Sequence, residues 1–230
     1  MKSKDIRVII PALNEQNAIG HVIKEIPKDW VSEIIVVDNG SSDQTFATAQ
    51  KLGVVVLKEP KRGYGWACLK AIDHLSKSNL KPDIVVFIDA DYSDYPTELV
   101  KLVDPIINGA ADMVIGSRYL GIKEPGSMMP QQIFGNWLAT KLISYLYDTD
   151  YTDLGPFRAI KYEALMQLKM DDKTYGWTVE MQIKAIKNKL NIQEIAVNYR
   201  KRIGISKVSG TFKGTVLAGY KIISTIIKYL

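Results

Sequence analysis

The stretch FIDADYSDYP, residues 87–96, follows an apolar run that begins at Ile84. The run is mostly β-branched or aromatic, which is typical of a buried strand in a parallel sheet. Asp89 and Asp91 come next at a spacing of two, so an extended chain directs both side chains to the same side. Pro96 suits the first position of a helix. The pattern predicts two carboxylates at the carboxyl end of a central strand, where open α/β sheets bind ligands.

The chemistry of this aspartate pair is that of a hard-cation site. Mg²⁺ and Mn²⁺ prefer oxygen ligands and share them with substrate phosphates. An isolated Asp-x-Asp pair is nevertheless more often a polar loop with solvated aspartates. The pair therefore supports the hypothesis that Asp91 and Asp89 bind Mg or Mn. The flanking sequence has to strengthen this hypothesis.

Strand-like and helix-like segments alternate outward from this stretch. Strands are predicted at 6–10, 34–37, 54–57, 84–88 and 112–115, and helices at 14–26, 42–52, 65–78 and 96–108. This βαβα pattern predicts an α/β fold with a mostly parallel central sheet and helices on both faces. After Tyr119 the alternation loosens, with a loop at 121–130, helices at 133–147 and 177–189, and extended segments at 157–161 and 192–199.

Composition limits the class of protein. The chain has 230 residues, of which 47% are hydrophobic, and a net charge of +5. That charge suits an anionic substrate or membrane surface and does not require nucleic acid. A single cysteine excludes an internal disulfide framework, and neither a signal peptide nor a membrane-length apolar run is present. We expect a cytoplasmic protein without a nucleic-acid partner; composition leaves the oligomeric state open.

The last twenty residues, 211–230, predict an amphipathic helix that follows a domain spanning 1–210. One stripe of the helix is apolar, with Lys221, Ser224 and Lys228 facing away from it: Val216, Tyr220, Ile223, Ile227 and Leu230. The stripe either packs on the core of the domain or lies on an anionic membrane surface, peripheral to the inner face of the membrane.

Polar motifs follow the first two predicted strands, PALNE at 11–15 and VDNGSSD at 37–43. Asp38 can accept hydrogen bonds from a ribose or base, as acidic residues at this position do. Asn14 and Ser42 are also good helix caps, which is compatible with binding. A third motif, KRGYG at 61–65, precedes a helix, so its glycines let the backbone approach a phosphate and its cations favour an anion there.

Taken together, the motifs resemble the inverting family 2 glycosyltransferases, which have a GT-A fold. The resemblance covers most of the chain and rests on PALNE, VDNGSSD, GYG at 63–65, DAD at 89–91, GSRY at 116–119 and DLGPFR at 153–158. The segment RIGISK at 202–207 is similar to one in the dolichyl-phosphate mannose and glucose synthases. The order and spacing of the motifs make the signal specific.

The resemblance implies metal-dependent transfer of a hexose from a UDP- or GDP-sugar. Asp91 would be the main metal ligand, with Asp89 beside it, and Arg118, Arg202 and Lys207 would neutralise the leaving diphosphate. The implied catalytic residues are Asp91, Asp153, Glu180 and Arg202, with Asp153 bordering the acceptor pocket. The implied nucleotide-sugar contacts are Pro11, Ala12, Asn14, Glu15, Asp38, Gly40, Lys61, Gly63, Gly65, Asp89, Ala90, Asp91, Arg118 and Lys207.

Two departures from the family bear on the acceptor. Pro156 separates Gly155 from Phe157, and Met181 stands where relatives that glycosylate hydroxyls carry an aspartate base. A phosphate monoester is already an anion at pH 7 and attacks without a base, so the predicted acceptor is a polyprenyl phosphate. The alternatives are a soluble or glycan hydroxyl with Asp153 or Glu180 as base, a nucleotidyltransferase, and a non-catalytic nucleotide-sugar-binding module.

Overall fold

A computed structural model describes residues 4–204 and 212–230 of the chain. Its strands are β1 (Ile6–Ala12), β2 (Glu33–Asp38), β3 (Val55–Lys58), β4 (Ile84–Phe87), β5 (Met113–Ser117), β6 (Arg158–Lys161) and β7 (Ile192–Ala196). Its α-helices are α1 (Ile19–Glu25), α2 (Thr45–Lys51), α3 (Tyr64–Lys77), α4 (Leu99–Ile107), α5 (Pro130–Tyr147), α6 (Tyr162–Leu168), α7 (Trp177–Lys187) and α8 (Phe212–Lys228). A short 3-10 helix, Pro96–Glu98, precedes α4, as Pro96 predicts.

The strands form one sheet of seven in the order β3-β2-β1-β4-β6-β5-β7. All neighbouring pairs are parallel except those of β6, which is antiparallel to both β4 and β5. This confirms the predicted mostly parallel sheet. Because β2, β1 and β4 are adjacent and parallel, the loops that follow them meet at one edge of the sheet. The PALNE, VDNGSSD and DAD motifs are therefore neighbours in space.

Helices cover both faces of the sheet, as predicted. Every residue of β1 and β4 is buried, because each strand packs side chains against both layers. One layer contains α1, α2 and α4, and the other contains α3, α5, α6 and α7. Burying one Val or Ile side chain contributes about 1.5–3 kcal/mol, so these two cores hold the strand ends that carry the motifs in fixed positions.

The C-terminal helix α8 packs against α5 and α7. It does so through Thr225 and Ile226, which are buried. The predicted apolar stripe faces away from the domain: Tyr220 is 72% exposed and Ile227 is 61% exposed. The helix thus lies on the domain, but these exposed members of the predicted stripe do not make that contact. The side of α8 that meets the domain combines Ile226 with Lys221, which forms an ion pair with Asp172.

Helix α5 also leaves large apolar side chains exposed, among them Ile133, Trp137 and Tyr145, and it buries Asn136, Ala139, Thr140 and Ile143. Large apolar side chains of α5 and α8 therefore remain on the surface. No helix in the described ranges is both long enough and apolar enough to span a bilayer. The predicted domain boundary at residue 210 and the side chain of Val216 lie outside the described residues.

Candidate active site

A polar pocket of about 410 Å³ lies where the loops after β1, β2 and β4 meet. The residues that line it come from these loops, from the turn before α3 and from the segment before α7: Pro11, Ala12, Leu13, Asn14, Glu15, Asn39, Arg62, Gly63, Tyr64, Ala67, Asp89, Ala90, Asp91, Thr174, Tyr175 and Arg202. The pocket is thus at the carboxyl ends of central strands, the place that the sheet topology favours for a ligand.

Two asparagine side chains fix the loops of this pocket. Asn14 does not cap a helix; it adopts a positive φ of 53°, and its Oδ1 accepts a hydrogen bond of 2.8 Å from the backbone N–H of Ser42. Asn39 donates to the carbonyl of Lys61 at 2.8 Å and accepts from the N–H of Gly63 at 2.7 Å. Because an amide both donates and accepts, each asparagine can join loops from different strands.

The aspartate pair lies in the wall of the pocket. Oδ1 of Asp91 accepts a hydrogen bond of 2.9 Å from the N–H of Ser93, and its Oδ2 lies 3.0 Å from Nη1 of Arg202. Desolvation, reinforced by the charge of Asp91, raises the pKa of Asp89 to about 7. Oδ1 of Asp89 is buried and has no hydrogen-bond partner among the described residues.

These carboxylates fit a divalent cation. Within the described ranges, no group of three or more His, Cys, Asp or Glu side chains is arranged to hold a metal ion unaided. A cation on Asp91 and Asp89 would therefore take its remaining ligands from a diphosphate and water, which is how Mg²⁺ is usually held beside substrate phosphates. The unpartnered oxygen of Asp89 is the feature that such a cation would satisfy.

A larger cavity of about 820 Å³ adjoins the polar pocket and shares Asp89, Asp91 and Arg202 with it. Its wall is largely apolar, with side chains from α5, α8 and the loop before β6: Met129, Phe134, Leu138, Ala139, Leu154, Pro156, Ile222 and Ile223. Arg118, Lys201 and Arg202 also line it and supply positive charge. The aspartate pair thus lies where the two cavities meet, and the larger one is lined by the apolar side chains of α5 and α8.

Asp153 holds Arg118 in place beside this cavity. It is completely buried, and its Oδ1 and Oδ2 accept hydrogen bonds of 2.6 Å and 2.7 Å from the Arg118 guanidinium. Oδ2 also accepts from the Arg118 backbone N–H at 2.9 Å. Asp153 is not among the described residues that line either cavity. Arg118 lines the larger cavity, and both oxygens of Asp153 are occupied in orienting it. That Asp153 borders the acceptor pocket stays a prediction.

Glu180 is also buried away from both cavities in the described structure. Its carboxylate accepts hydrogen bonds from the N–H groups of Asp171 and Asp172 and from the hydroxyl of Tyr229, and it pairs with Lys184 at 2.8 Å. These four partners in the core hold the segment before α7. The implied catalytic role of Glu180 stays a prediction.

Ten of the predicted site residues line one or both cavities: Pro11, Ala12, Asn14, Glu15, Gly63, Asp89, Ala90, Asp91, Arg118 and Arg202. Four others are not among the described residues that line the cavities: Asp38, Gly40, Lys61 and Gly65. Asp38 accepts a hydrogen bond from the N–H of Ser41 at 3.3 Å, and the ammonium of Lys61 lies 4.5 Å from the ring centre of Trp66. Lys207 lies outside the described residues.

The sequence reasoning missed Thr174 and Tyr175 of the polar pocket, together with most of the apolar wall. A signal for the first two is present in the GYG motif. A Cβ on Gly65 would lie 2.0 Å from the carbonyl oxygen of Asp172, and one on Gly63 would lie 2.2 Å from that of Lys173. These glycines admit the segment before α7, so their spacing marks a close backbone approach.

Comparisons with known proteins agree with this geometry. Residues 7–169 match the family described as Glycosyl transferase family 2. A dolichyl-phosphate hexose transferase of Haloferax volcanii is 31% identical over 97% of this chain and 95% of its own length. A UDP-N-acetylglucosamine–dolichyl-phosphate N-acetylglucosaminyltransferase of Methanococcus voltae is 32% identical over 86% of each chain.

A solved structure shares the fold. Glucosyl-3-phosphoglycerate synthase of Mycobacterium tuberculosis, in complex with Mn²⁺, UDP and phosphoglyceric acid, superimposes with a TM-score of 0.77 at 23% identity. The match covers 98% of this chain and 78% of the synthase chain. From the family match over most of the domain, the full-length relatives and the common architecture, we conclude that the chain belongs to glycosyl transferase family 2 and is a glycosyltransferase with the GT-A fold.

Proposed function

We propose that this glycosyltransferase moves a hexose, with inversion, from a UDP- or GDP-sugar to a polyprenyl phosphate and uses Mg or Mn to do so. The observation that carries the proposal is the apolar cavity of about 820 Å³ next to the aspartate pair. A lipid tail gains free energy by leaving water for such a lining, whereas a small polar acceptor does not. As a glycosyltransferase, the protein is neither of the other two classes considered, a nucleotidyltransferase or a non-catalytic binding module.

The polar pocket is the donor half of the proposed site. Asp91 and Asp89 would hold the metal, which when bound supplies positive charge to the diphosphate. Arg202 lies beside Asp91, so its guanidinium can stabilise the negative charge that grows on the diphosphate as the sugar–oxygen bond breaks. Fixed donors aimed at such developing charge typically contribute 10²–10³ in rate, according to measurements on other enzymes, roughly 3–4 kcal/mol.

The apolar cavity is the acceptor half. The Arg118 guanidinium, held by Asp153, and Lys201 attract the phosphate of the acceptor. A phosphate oxygen then attacks the anomeric carbon, the bond from that carbon to the diphosphate breaks, and the nucleoside diphosphate leaves with the bonding pair. A phosphate monoester needs no base for this step, because its second pKa is about 6.

The carboxylates near the cavity support a mechanism without a base. Among the described residues that line it, the carboxylates are Asp89 and Asp91, both assigned to the metal. Met181, which replaces the aspartate base of hydroxyl-glycosylating relatives, is completely buried. Asp153 is hydrogen-bonded to Arg118, and Glu180 to Asp172 and Tyr229, which supports a mechanism that does not use either as a base.

Relatives favour the same acceptor class, since the proteins of Haloferax volcanii and Methanococcus voltae carry dolichyl-phosphate in their names. The solved structure with the same fold was obtained with phosphoglyceric acid, a soluble phosphate compound, and with Mn²⁺ and UDP. A soluble phosphate acceptor is therefore the second candidate. The size and apolar lining of the cavity favour the lipid.

We further propose that the protein works peripherally at the inner face of the membrane. Phe134 of α5 and Ile223 of α8 line the acceptor cavity and are also exposed. The exposed apolar side chains of both helices thus form a surface that continues into the cavity. A lipid acceptor embedded in a bilayer can enter along such a surface without its tail crossing water.

The test supplies purified protein, Mn²⁺ and a labelled UDP- or GDP-hexose with one of three acceptors: polyprenyl phosphate, the dephosphorylated polyprenol, or 3-phosphoglycerate. We expect label on the polyprenyl phosphate alone, with release of nucleoside diphosphate. Equal labelling of polyprenol would refute the mechanism without a base. Labelling of 3-phosphoglycerate alone would replace the lipid acceptor by a soluble one.

A further inference from the structure

The segment 171–176, between α6 and α7, forms one wall of the donor pocket through Thr174 and Tyr175. On one side it lies against the start of α3, main chain to main chain. The N–H of Trp66 donates a hydrogen bond of 3.1 Å to the carbonyl of Lys173. Because Gly63 and Gly65 leave no room for a side chain at this contact, a displacement of the segment also displaces the turn that faces the donor.

On its other side the segment is held by the polar side of α8. The ammonium of Lys221 lies 2.8 Å from Oδ2 of Asp172, whose Oδ1 accepts hydrogen bonds from the N–H groups of Thr174 at 2.7 Å and Gly176 at 3.1 Å. Thr225 of α8 lies close to Gly176, since a Cβ there would be 2.4 Å from its hydroxyl oxygen. Asp172 is buried, so removal of Lys221 leaves a buried carboxylate without its ion-pair partner.

A second contact joins α8 to the same segment. The hydroxyl of Tyr229 donates a 2.6 Å hydrogen bond to Glu180, and Glu180 in turn accepts a 2.7 Å hydrogen bond from the N–H of Asp172. Desolvation and the neighbouring Glu180 carboxylate raise the pKa of Tyr229, so it remains a donor. The segment is therefore fixed to α8 by an ion pair on one side and by a buried hydrogen-bonded carboxylate on the other.

We propose that Lys221, Tyr229 and Glu180 are positioning residues for the donor: they set the affinity for the nucleotide by holding the segment 171–176 against the start of α3. They touch neither cavity wall in the described structure. The helix that carries Lys221 and Tyr229 also lines the acceptor cavity through Gly219, Ile222 and Ile223, so α8 lies between the two substrates. The inference rests on the proposed function insofar as the polar pocket is taken to bind a nucleotide.

The test compares Lys221→Ala with Lys228→Ala in the full chain. Both substitutions remove one ammonium from α8, but the Lys228 pair with Asp171 is 3.5 Å long and both side chains are more than half exposed, so it contributes little. Hydrogen exchange is measured without ligand, and the affinities for UDP and GDP are measured with Mn²⁺ by calorimetry. We expect Lys221→Ala to accelerate exchange at Trp66, Thr174 and Gly176 about tenfold and to weaken nucleotide binding about fivefold to tenfold, with kcat at saturating donor changed less than twofold.

Two further variants separate positioning from loss of fold. Lys221→Arg keeps the charge near Asp172 and is expected to restore most of the affinity, whereas Tyr229→Phe, which removes only the hydroxyl, is expected to weaken binding in the same direction as Lys221→Ala. Unchanged exchange in Lys221→Ala, or faster exchange with unchanged nucleotide affinity, overturns the inference. Failure of the wild-type protein to bind either nucleotide overturns the proposed function instead, because the exchange measurement involves no ligand.

Discussion

Arg202 connects two acidic loops of the site. Its guanidinium lies 3.0 Å from Asp91 and 2.7 Å from Glu15, and its Nε is buried without a hydrogen-bond partner in the described structure. A guanidinium carries five N–H donors in a fixed plane. One donor of Arg202 is therefore still available to a diphosphate oxygen at the point where the two cavities meet.

We expect Arg202→Ala to lower kcat about 100-fold and to raise KM for the nucleotide sugar less than tenfold, because charge on the diphosphate grows only as the bond breaks. Steady-state kinetics at varied donor concentration measure both. Arg200→Ala is the matched control: that guanidinium binds Glu25 and stacks on Tyr92, so its loss reduces stability without a comparable change in kcat. An Arg202→Ala enzyme with normal kcat and only a raised KM would mean that Arg202 merely binds the donor.

Asp94 is a buried carboxyl whose two oxygens have no hydrogen-bond partner among the described residues. Burial raises its pKa well above the ordinary 3.8, the charges of Asp89, Asp91 and Asp153 raise it further, and Arg118 opposes them. The folded protein therefore binds this proton more readily than the unfolded chain does. The stability that this proton contributes is fully present below about pH 3.8, the ordinary pKa. It is lost as the pH rises through the higher pKa that Asp94 has in the folded protein.

From this sign we expect Asp94→Asn to be more stable than the wild type at pH 8 by about 1–3 kcal/mol, with the difference shrinking toward pH 4. Urea unfolding at both pH values gives the measurement. Asp112→Asn provides a control of opposite sign, because Lys161 lowers the pKa of Asp112. That variant should lose stability at pH 8 and recover it at low pH. A pH-independent difference for Asp94→Asn would contradict the assignment of a buried neutral carboxyl.

At the residue scale, sequence reasoning succeeded where a motif follows directly from a strand. Asp89, Asp91, Asn14 and Glu15 are adjacent to strands whose parallel order brings their ends together, so local pattern was sufficient. It could not show the partner of Asp153, because Arg118, 35 residues away, binds both of its oxygens. The residue type shows that a carboxylate is present, but it does not show which side chain forms an ion pair with that carboxylate in the fold.

At the scale of elements, periodicity located helices well but did not show which side of α5 and α8 meets the domain. A hydrophobic stripe ordinarily faces the core, because burial is favourable. In α8, Lys221, Thr225 and Tyr229 have partners on α7 and on the segment before it, and these partners are distant in sequence. These side chains therefore have partners inside, next to the buried Ile226, while Tyr220 and Ile227 of the predicted stripe are exposed.

The exposed stripe leads to a prediction about membranes. We expect the double substitution Tyr220→Ser and Ile227→Ser to weaken binding to vesicles of anionic lipid at least about tenfold, since each side chain loses apolar area that could enter the interface. Co-sedimentation over a series of lipid concentrations measures the partition. The folded protein should retain its stability within roughly 0.5 kcal/mol, because both side chains are exposed.

Leu80→Ser is the control for this experiment, since Leu80 is equally exposed, at 74%, but lies in the loop before β4. It should leave vesicle binding unchanged. Equal vesicle binding by the wild type, the double variant and Leu80→Ser would contradict the membrane role. The stripe of α8 would then have another partner, such as a second copy of the chain. Sedimentation equilibrium of the wild type then distinguishes that case.

At the scale of the whole molecule, the parallel α/β architecture follows from the alternation of strands and helices, whereas the antiparallel insertion of β6 does not. β6 is only four residues long, and its direction is set by pairing with β4 and β5 on either side. Its insertion brings Arg118 and Asp153 together beside the aspartate pair. The proposed acceptor half of the site therefore depends on long-range strand pairing that no local sequence pattern encodes. Most residues of the proposed donor half could be predicted from motifs that follow strands.

The two halves meet at the aspartate pair, so nucleotide and metal should stabilise the whole domain together. UDP or GDP at 100 times its dissociation constant adds about 2.7 kcal/mol to the free energy of unfolding. For a chain of 230 residues this corresponds to a rise in Tm of about 5–10 °C. We expect that rise with nucleotide and Mn²⁺ together, and a much smaller one with either alone, because the diphosphate and the carboxylates share the cation.

EDTA should abolish the rise in Tm and all turnover, and excess Mn²⁺ should restore both. Asp91→Asn should show neither the rise nor turnover at any metal concentration. Full turnover in EDTA, with metal shown to be absent, would mean that Arg202 carries the diphosphate without a metal and that the oxygen of Asp89 has some other partner.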